Sequence, residues 1–330
     1  MKSLTLPVVF AADENYLVPA YVAAFSLVQN TRPETELVLY FMIPAGLPES
    51  GRRLLSSLGC PGCCRVEWIE MREQFENAKM QISYITPATY YRLLLPELLP
   101  QWGRCLYLDA DLVVEEDLTG LYLSLPEDSY LAGVVAGNPA LPGLKGAARA
   151  RHAALLGLEN LDGYINAGVL VCNLEKMRRD DLVPRFLERV AQNYPYRDQD
   201  ILNALCAGGI AHAPRKYNVC PLNGPDTLPP GLLSREEEAR VRAAYRAPAV
   251  VHYAQPQKPW LSRRFPMAEH WWRYCDAADP AIRREFLAPY IRRNRWRAPV
   301  IRLKHSRPVM GSWQALKRGR QLLRGEGGGK

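Results

Sequence analysis

Over residues 4–71 the hydrophobic period of the chain switches back and forth between that of a strand and that of a helix. Residues 4–11 are a β-rich apolar run, and residues 16–30 carry Val18, Val22, Phe25 and Leu27 at helical spacing. Residues 36–43 read as a second strand, 49–58 as a short helix and 65–71 as a third strand in period-two alternation. Strand, helix, strand, helix, strand implies a parallel sheet wrapped by helices, which is an α/β fold.

The pattern continues less regularly. Residues 86–99 read as a helix with Pro87 near its start, and residues 104–114 as one continuous apolar strand interrupted only by two aspartates. Residues 131–136 and 165–173 look like further strands, and 180–193 and 199–207 like helices. The Pro- and Gly-rich segment 221–231 reads as a loop. A chain of 330 residues, 48% hydrophobic and 23% charged, can bury a full core, which excludes the disordered and collagen-like classes. No stretch reaches about 18 uncharged apolar residues, and the apolar start is cut short by Asp13 and Glu14, so a cytoplasmic protein is expected. In that compartment the eight cysteines are expected as thiols. Cys60 and Cys63 have the spacing of half a zinc site, with no second pair or nearby histidine to complete it.

Two carboxylates within an apolar strand demand an explanation. Asp109 and Asp111 alternate in Leu106-Tyr107-Leu108-Asp109-Ala110-Asp111-Leu112, so an extended backbone aims both at one point. Burying them is costly without something positive, and Mg²⁺ or Mn²⁺ is typically held by one or two carboxylates plus phosphate oxygens. The plainer alternative is a pair bonded to backbone amides or an arginine. The segment Phe10-Ala11-Ala12-Asp13-Glu14-Asn15-Tyr16 leaves the first strand with a carboxylate, an amide and an aromatic ring, groups that hydrogen-bond and stack a nucleobase. Alone it is equally a strand-to-helix turn capped by Asp13 or Asn15.

These segments, with Thr89-Tyr90-Tyr91-Arg92-Leu93, Tyr164-Ile165-Asn166-Ala167-Gly168-Val169, Asp198-Gln199-Asp200-Ile201-Leu202-Asn203 and the run from His252 through Lys258-Pro259-Trp260, occur in the order seen in family 8 glycosyltransferases. The chain resembles that family, which includes bacterial lipopolysaccharide galactosyl- and glucosyltransferases and glycogenin, over about residues 4–275. The resemblance implies a GT-A fold, a Rossmann-like mixed sheet flanked by helices, and a retaining transfer of a hexose from a UDP-sugar to a glycan or lipid-linked acceptor. It implies Asp109, Asp111 and His252 as metal ligands, for Mn²⁺ rather than Mg²⁺ because an imidazole stands beside the carboxylates. Ala11, Asp13, Asn15 and Tyr16 resemble the uridine pocket, Lys258 the cation at the diphosphate, and Arg92, Asn166, Asp198 and Gln199 the groups around the donor sugar. Asp198 and Gln199 are the catalytic candidates. Two positions depart from the family pattern. Gln255 stands where a glycine usually follows the metal histidine by three residues, and the strand 131–136 runs into Gly137-Asn138 where an aspartate is common.

The net charge of +8 is uneven: residues 276–330 hold 14 basic against 4 acidic residues, a balance of +10 that leaves −2 for the rest. We therefore expect a catalytic domain over residues 1–275 and a basic helical appendage over 276–330 whose arginines and tryptophans suit an anionic membrane surface. Nucleic-acid binding through that tail leaves the acidic pair unexplained. A sugar-nucleotide-binding protein without catalysis is the second rival, kept open by Gln255.

Overall fold

A computed structural model describes residues 4–71, 87–136, 146–224 and 234–295 of the chain. Gly137-Asn138, most of the Pro- and Gly-rich loop and the tail beyond residue 295 lie outside the described residues. The chain divides into two compact units, Met1–Ala254 and Gln255–Lys330.

The first unit is built on a seven-stranded mixed sheet. Its strands are β1 (Leu4–Ala11), β2 (Thr35–Pro44), β3 (Cys64–Met71), β4 (Arg104–Leu108), β6 (Leu131–Val135), β7 (Ile165–Asn173) and β8 (Ile210–His212), in the order β3-β2-β1-β4-β7-β6-β8. β1 to β4 run parallel, as the opening alternation implies, and β7 turns antiparallel to both β4 and β6. Val8, Val9 and Phe10 are wholly buried because helices cover both faces of the central strands, which is why these strands read as unbroken apolar runs. On one face Val9, Met42, Tyr107 and Leu170 pack with Leu93, Phe186 and Ile201 from the covering helices. Each such buried side chain is worth about 1.5–3 kcal/mol relative to exposure.

Three expected elements come out differently. The run 104–114 is not one strand: β4 ends at Leu108, and β5 (Leu112–Val114) leaves to form a separate two-stranded ladder with β9 (Val250–His252). Asp109 makes the last rung, donating to the Gly168 carbonyl at 2.8 Å, and the chain then turns out of the sheet. Ser26 and Asn30, on the Leu17–Asn30 helix, bind the backbone of Val114 and hold β5 in its new direction. The segment 86–99 is a 3₁₀ helix (Pro87–Leu94) followed by one α-helical turn (Leu95–Leu98), a change of winding that brings Pro96 to the start of the α turn where its missing N–H costs nothing. The helix expected over 180–193 starts anew at Leu182, because Asp181 sits in the left-handed region at φ 49° and interrupts the winding.

Cys60 and Cys63 are joined as a disulfide, and the other six cysteines are free. The two-residue spacing closes on itself rather than on a metal, and the expectation of eight thiols is corrected for this pair.

Within the second unit, Trp260 packs on Trp271 and Tyr290 with ring centroids 5.7 and 6.5 Å away, and Arg263 lies 3.7 Å over Trp272 while pairing with Asp276. Tyr290, one of the aromatics of the basic segment, is buried in this cluster. None of the helices among the described residues is long and apolar enough to cross a bilayer.

Candidate active site

The departure of β5 from the sheet brings the two aspartates to a histidine. In the β5–β9 ladder Leu112 stands opposite His252, so the residue before Leu112 lies beside the imidazole. His252 Nε2 is 3.2 Å from Asp111 Oδ1 and 3.6 Å from Asp109 Oδ2, and one ligand atom from each residue lies within 4.8 Å of the others. The convergence comes from the break in the strand, not from two-residue alternation along an extended one.

Asp109 is held by its other oxygen. Its Oδ1 accepts from Arg92 Nη2 at 2.9 Å and from the Tyr107 hydroxyl at 3.1 Å, leaving Oδ2 toward His252. Burial raises the Tyr107 pKa well above its ordinary value, so the phenol keeps the proton it donates. Arg92 also donates to the Ala167 carbonyl, lies 4.3 Å over the Tyr107 ring and places Nε 2.8 Å from Asp198 Oδ2, close in charge though off the N–H axis. Burial opposes its charge, but Asp109 and Asp198 more than offset that and raise its pKa.

The tautomer of His252 follows from a chain of amides. The Ala167 N–H must donate, so the atom it meets at 3.1 Å is Gln199 Oε1, and Asn166 must present Nδ2 to the same oxygen at 3.0 Å. Asn166 Oδ1 then faces the Gly168 N–H at 2.9 Å and Asn218 Nδ2 at 2.8 Å. Asn218 Oδ1 is left to accept from His252 Nδ1 at 3.0 Å, and a neutral imidazole so bound turns a bare Nε2 lone pair toward two carboxylates. Three acceptors facing one point fit a divalent cation. Asn218 carries no motif in the sequence; it reaches the site because Val219 bridges Val251, next to the histidine.

Ala11 ends β1 beside Asp109, since Phe10 and Leu108 are partners in the parallel ladder. In the turn that follows, Asp13 Oδ1 accepts from the backbone of Asn15 and Tyr16 at 2.9 and 3.2 Å, so this carboxylate shapes the turn. Asn15 is exposed and Tyr16 half-buried. Arg92, Asn166, Asp198 and Gln199 thus gather around Asp109. Lys258 belongs to the second unit, with its ammonium 5.9 Å from the Trp260 ring.

Burial, reinforced by Asp109 and only partly offset by Arg92, pushes Asp198 up from 3.8 to about 6. The fold therefore binds this proton more tightly than the unfolded chain, and stability falls as pH rises from about 4 through 6, by about 3 kcal/mol in all. Asp198→Asn, which removes the charge and keeps the shape, is expected to melt no lower than the native protein at pH 7.5, with the gap closing near pH 4. A clearly lower melting temperature at pH 7.5 contradicts this.

The family model for glycosyl transferase family 8 matches residues 7–264. A lipopolysaccharide 1,2-glucosyltransferase of Escherichia coli is 27% identical over 263 residues, 78% of this chain and 73% of that protein. General stress protein A of Bacillus subtilis is 24% identical over 286 residues, 83% of this chain and 94% of the relative. Among solved structures, the galactosyltransferase LgtC in complex with donor and acceptor sugar analogs superposes with a TM-score of 0.71 at 28% identity, covering 86% of this chain and 100% of LgtC. The bifunctional glycosyltransferase WbbM shares the fold at a TM-score of 0.73 and 21% identity, with this chain spanning 52% of its length. With residues 7–264 matched by the family model and a GT-A fold that brings an acidic pair beside the main sheet to a histidine of the β5–β9 ladder, the chain belongs to glycosyl transferase family 8.

Proposed function

We propose that the chain transfers a hexose, glucose or galactose, from a UDP-sugar to a glycan or glycolipid acceptor of the cell envelope, with retention at the anomeric carbon and dependence on Mn²⁺. The observation that carries this reading is the Asp109–Asp111–His252 cluster, with Nε2 and both carboxylates turned to one point and Arg92, Asp198, Asn166 and Gln199 beside it. The relatives named for lipopolysaccharide glucosyl transfer and the LgtC complex support the class of donor and acceptor.

Asp109, Asp111 and His252 would hold Mn²⁺, which when bound neutralises the charge that collects on the departing diphosphate. Ala11, Asp13, Asn15 and Tyr16 form the uridine side, and Lys258 is the proposed cation for the diphosphate, on the strength of the resemblance. Breaking the bond from the anomeric carbon to the phosphate oxygen sends the electron pair out with UDP. The acceptor hydroxyl bonds to the same face, and its proton passes to the leaving phosphate. Asp198, paired to Arg92, offsets positive charge growing on the sugar without bonding to it. A glycosyl adduct trapped on Asp198 and seen by mass spectrometry would replace this route with a covalent one.

The test is a donor screen with Mn²⁺, scoring UDP release from UDP-glucose, UDP-galactose and their N-acetyl forms. Turnover of a hexose donor supports the reading. UDP binding without turnover of any donor favours the sugar-nucleotide-binding rival. Because Asn218 fixes the His252 tautomer, Asn218→Leu is expected to weaken Mn²⁺ binding about 10- to 100-fold by calorimetric titration. Unchanged affinity would remove Asn218 from the account.

The chain is proposed to work in the cytoplasm, with the basic tail of residues 276–330 docking it on anionic lipid near a lipid-linked acceptor. Binding to anionic liposomes that survives removal of residues 277–330 refutes the docking role.

A further inference from the structure

Asp200, next to Gln199 on the Arg197–Leu205 helix, is wholly buried. A carboxylate there must be met by donors, and three reach it. The Tyr196 N–H lies 2.8 Å from Oδ2, while the Tyr164 hydroxyl at 2.6 Å and His152 Nε2 at 2.8 Å share Oδ1. An ionised carboxylate only accepts, so both side chains present their hydrogens to it. Burial and then Asp200 raise the Tyr164 pKa, which keeps the phenol protonated. With its proton committed to Asp200, Tyr164 turns a lone pair to Gln199 Nε2 at 3.1 Å. Gln199 Oε1 is left for Asn166 and the Ala167 N–H.

A buried carboxylate at one end and a backbone N–H at the other therefore set the orientation of the Gln199 amide. His152 comes from the Ala147–Leu156 helix, outside every motif of the site, and is buried with its ring edge-on to Tyr164 and Tyr196. We propose that His152 is a positioning residue for the donor-sugar site: it holds Asp200, Asp200 holds the Tyr164 hydroxyl, and Tyr164 holds the amide of Gln199. This rests on the reading of Asp198 and Gln199 as the groups around the donor sugar. Without His152, Oδ1 of Asp200 loses one of its two donors, the carboxylate is free to rotate, and the Tyr164 hydrogen is no longer held in one direction. Gln199 can then swivel.

The full chain, His152→Ala, His152→Gln, Tyr164→Phe and the His152→Ala/Tyr164→Phe double variant are compared in Mn²⁺. Three quantities are read: the Kd for UDP, the Kd for UDP-glucose and UDP-galactose, and kcat. In His152→Ala and Tyr164→Phe the Kd for UDP should stay within about twofold, while the added affinity from the sugar is lost and kcat falls about a hundredfold. His152→Gln, whose amide can donate to Asp200, should recover most of kcat. The double variant should lose no more than the worse single one, because both act through one chain of bonds. Tyr164→Phe keeps its volume and the His152–Asp200 pair, so it carries the test even where His152→Ala fails to fold. Native kcat and sugar affinity in Tyr164→Phe, or multiplying losses in the double variant, overturn the proposal alone. Absence of Mn²⁺-dependent UDP binding by the native protein overturns the donor-site reading and this proposal with it.

Discussion

Gly168→Ala is expected to abolish transfer while leaving the fold in place. A Cβ at this position would fall inside the van der Waals surface of His252 Cε1, 2.7 Å from Asp109 Oδ2 and 2.8 Å from His252 Nδ1. None of these atoms is free to give way. His252 is tied to Asn218, Asp109 to Arg92 and Tyr107, and Gly168 itself to the Asp109 N–H through its carbonyl and to Asn166 Oδ1 through its own N–H. The methyl must push the imidazole or the carboxylate by roughly an ångström, and displacement on that scale costs about a hundredfold where reacting groups must be aligned. Since Asp109 and His252, the proposed metal ligands, are displaced at the same time, we expect kcat/KM to fall by about a thousandfold or more, with Mn²⁺ affinity lost in parallel. Native-like circular dichroism with no measurable Mn²⁺ binding is the expected pair of results. An active Gly168→Ala enzyme would show that the three ligand side chains do not meet as described.

The second large effect is on stability. Arg92 is the buried cation between Asp109 and Asp198, and Arg92→Met leaves two carboxylates facing one another without compensation. Breaking a buried pair in this way costs about 3–5 kcal/mol, a large fraction of the margin of an ordinary domain. Arg92→Lys is expected to rescue little. An ammonium is a single point of charge, whereas the guanidinium reaches Asp109, Asp198 and the Ala167 carbonyl at once and stacks on Tyr107. Urea unfolding of both variants checks this, and a lysine variant with native stability and turnover would contradict it.

β1, β2 and β3 were legible almost to the residue because β1 and β2 are largely buried apolar runs, β3 alternates with period two at the half-exposed edge, and a helix-period segment separates each from the next. The break at Asp109–Asp111 was not, since Leu106 to Val114 is uniformly apolar apart from the aspartates, and the strand that captures β5 comes from residues 250–252. Asp181 gave no warning either, having neither a glycine nor a proline beside it to mark the left-handed turn. The acidic pair and His252 stood out through motifs whose order resembles a family. Tyr107 and Gly168 lie inside the quoted motifs, but their contacts with Asp109 and His252 do not show in the spacing. Asn218 lies outside every motif, and nothing in local pattern marks a side chain whose partner arrives from a distant strand.

The β5–β9 ladder also sets when the site can exist during synthesis. Residues 112–114 find their partner only in residues 250–252, so a nascent chain can form the parallel half of its sheet long before the histidine emerges. Until then Asp109 and Asp111 are two nearby carboxyl groups without the histidine proposed to share a metal with them. Every incomplete product ending before residue 250 is without the full set of proposed ligands, and the last rungs of a three-residue ladder decide whether the ribosome has released an enzyme or only a fold.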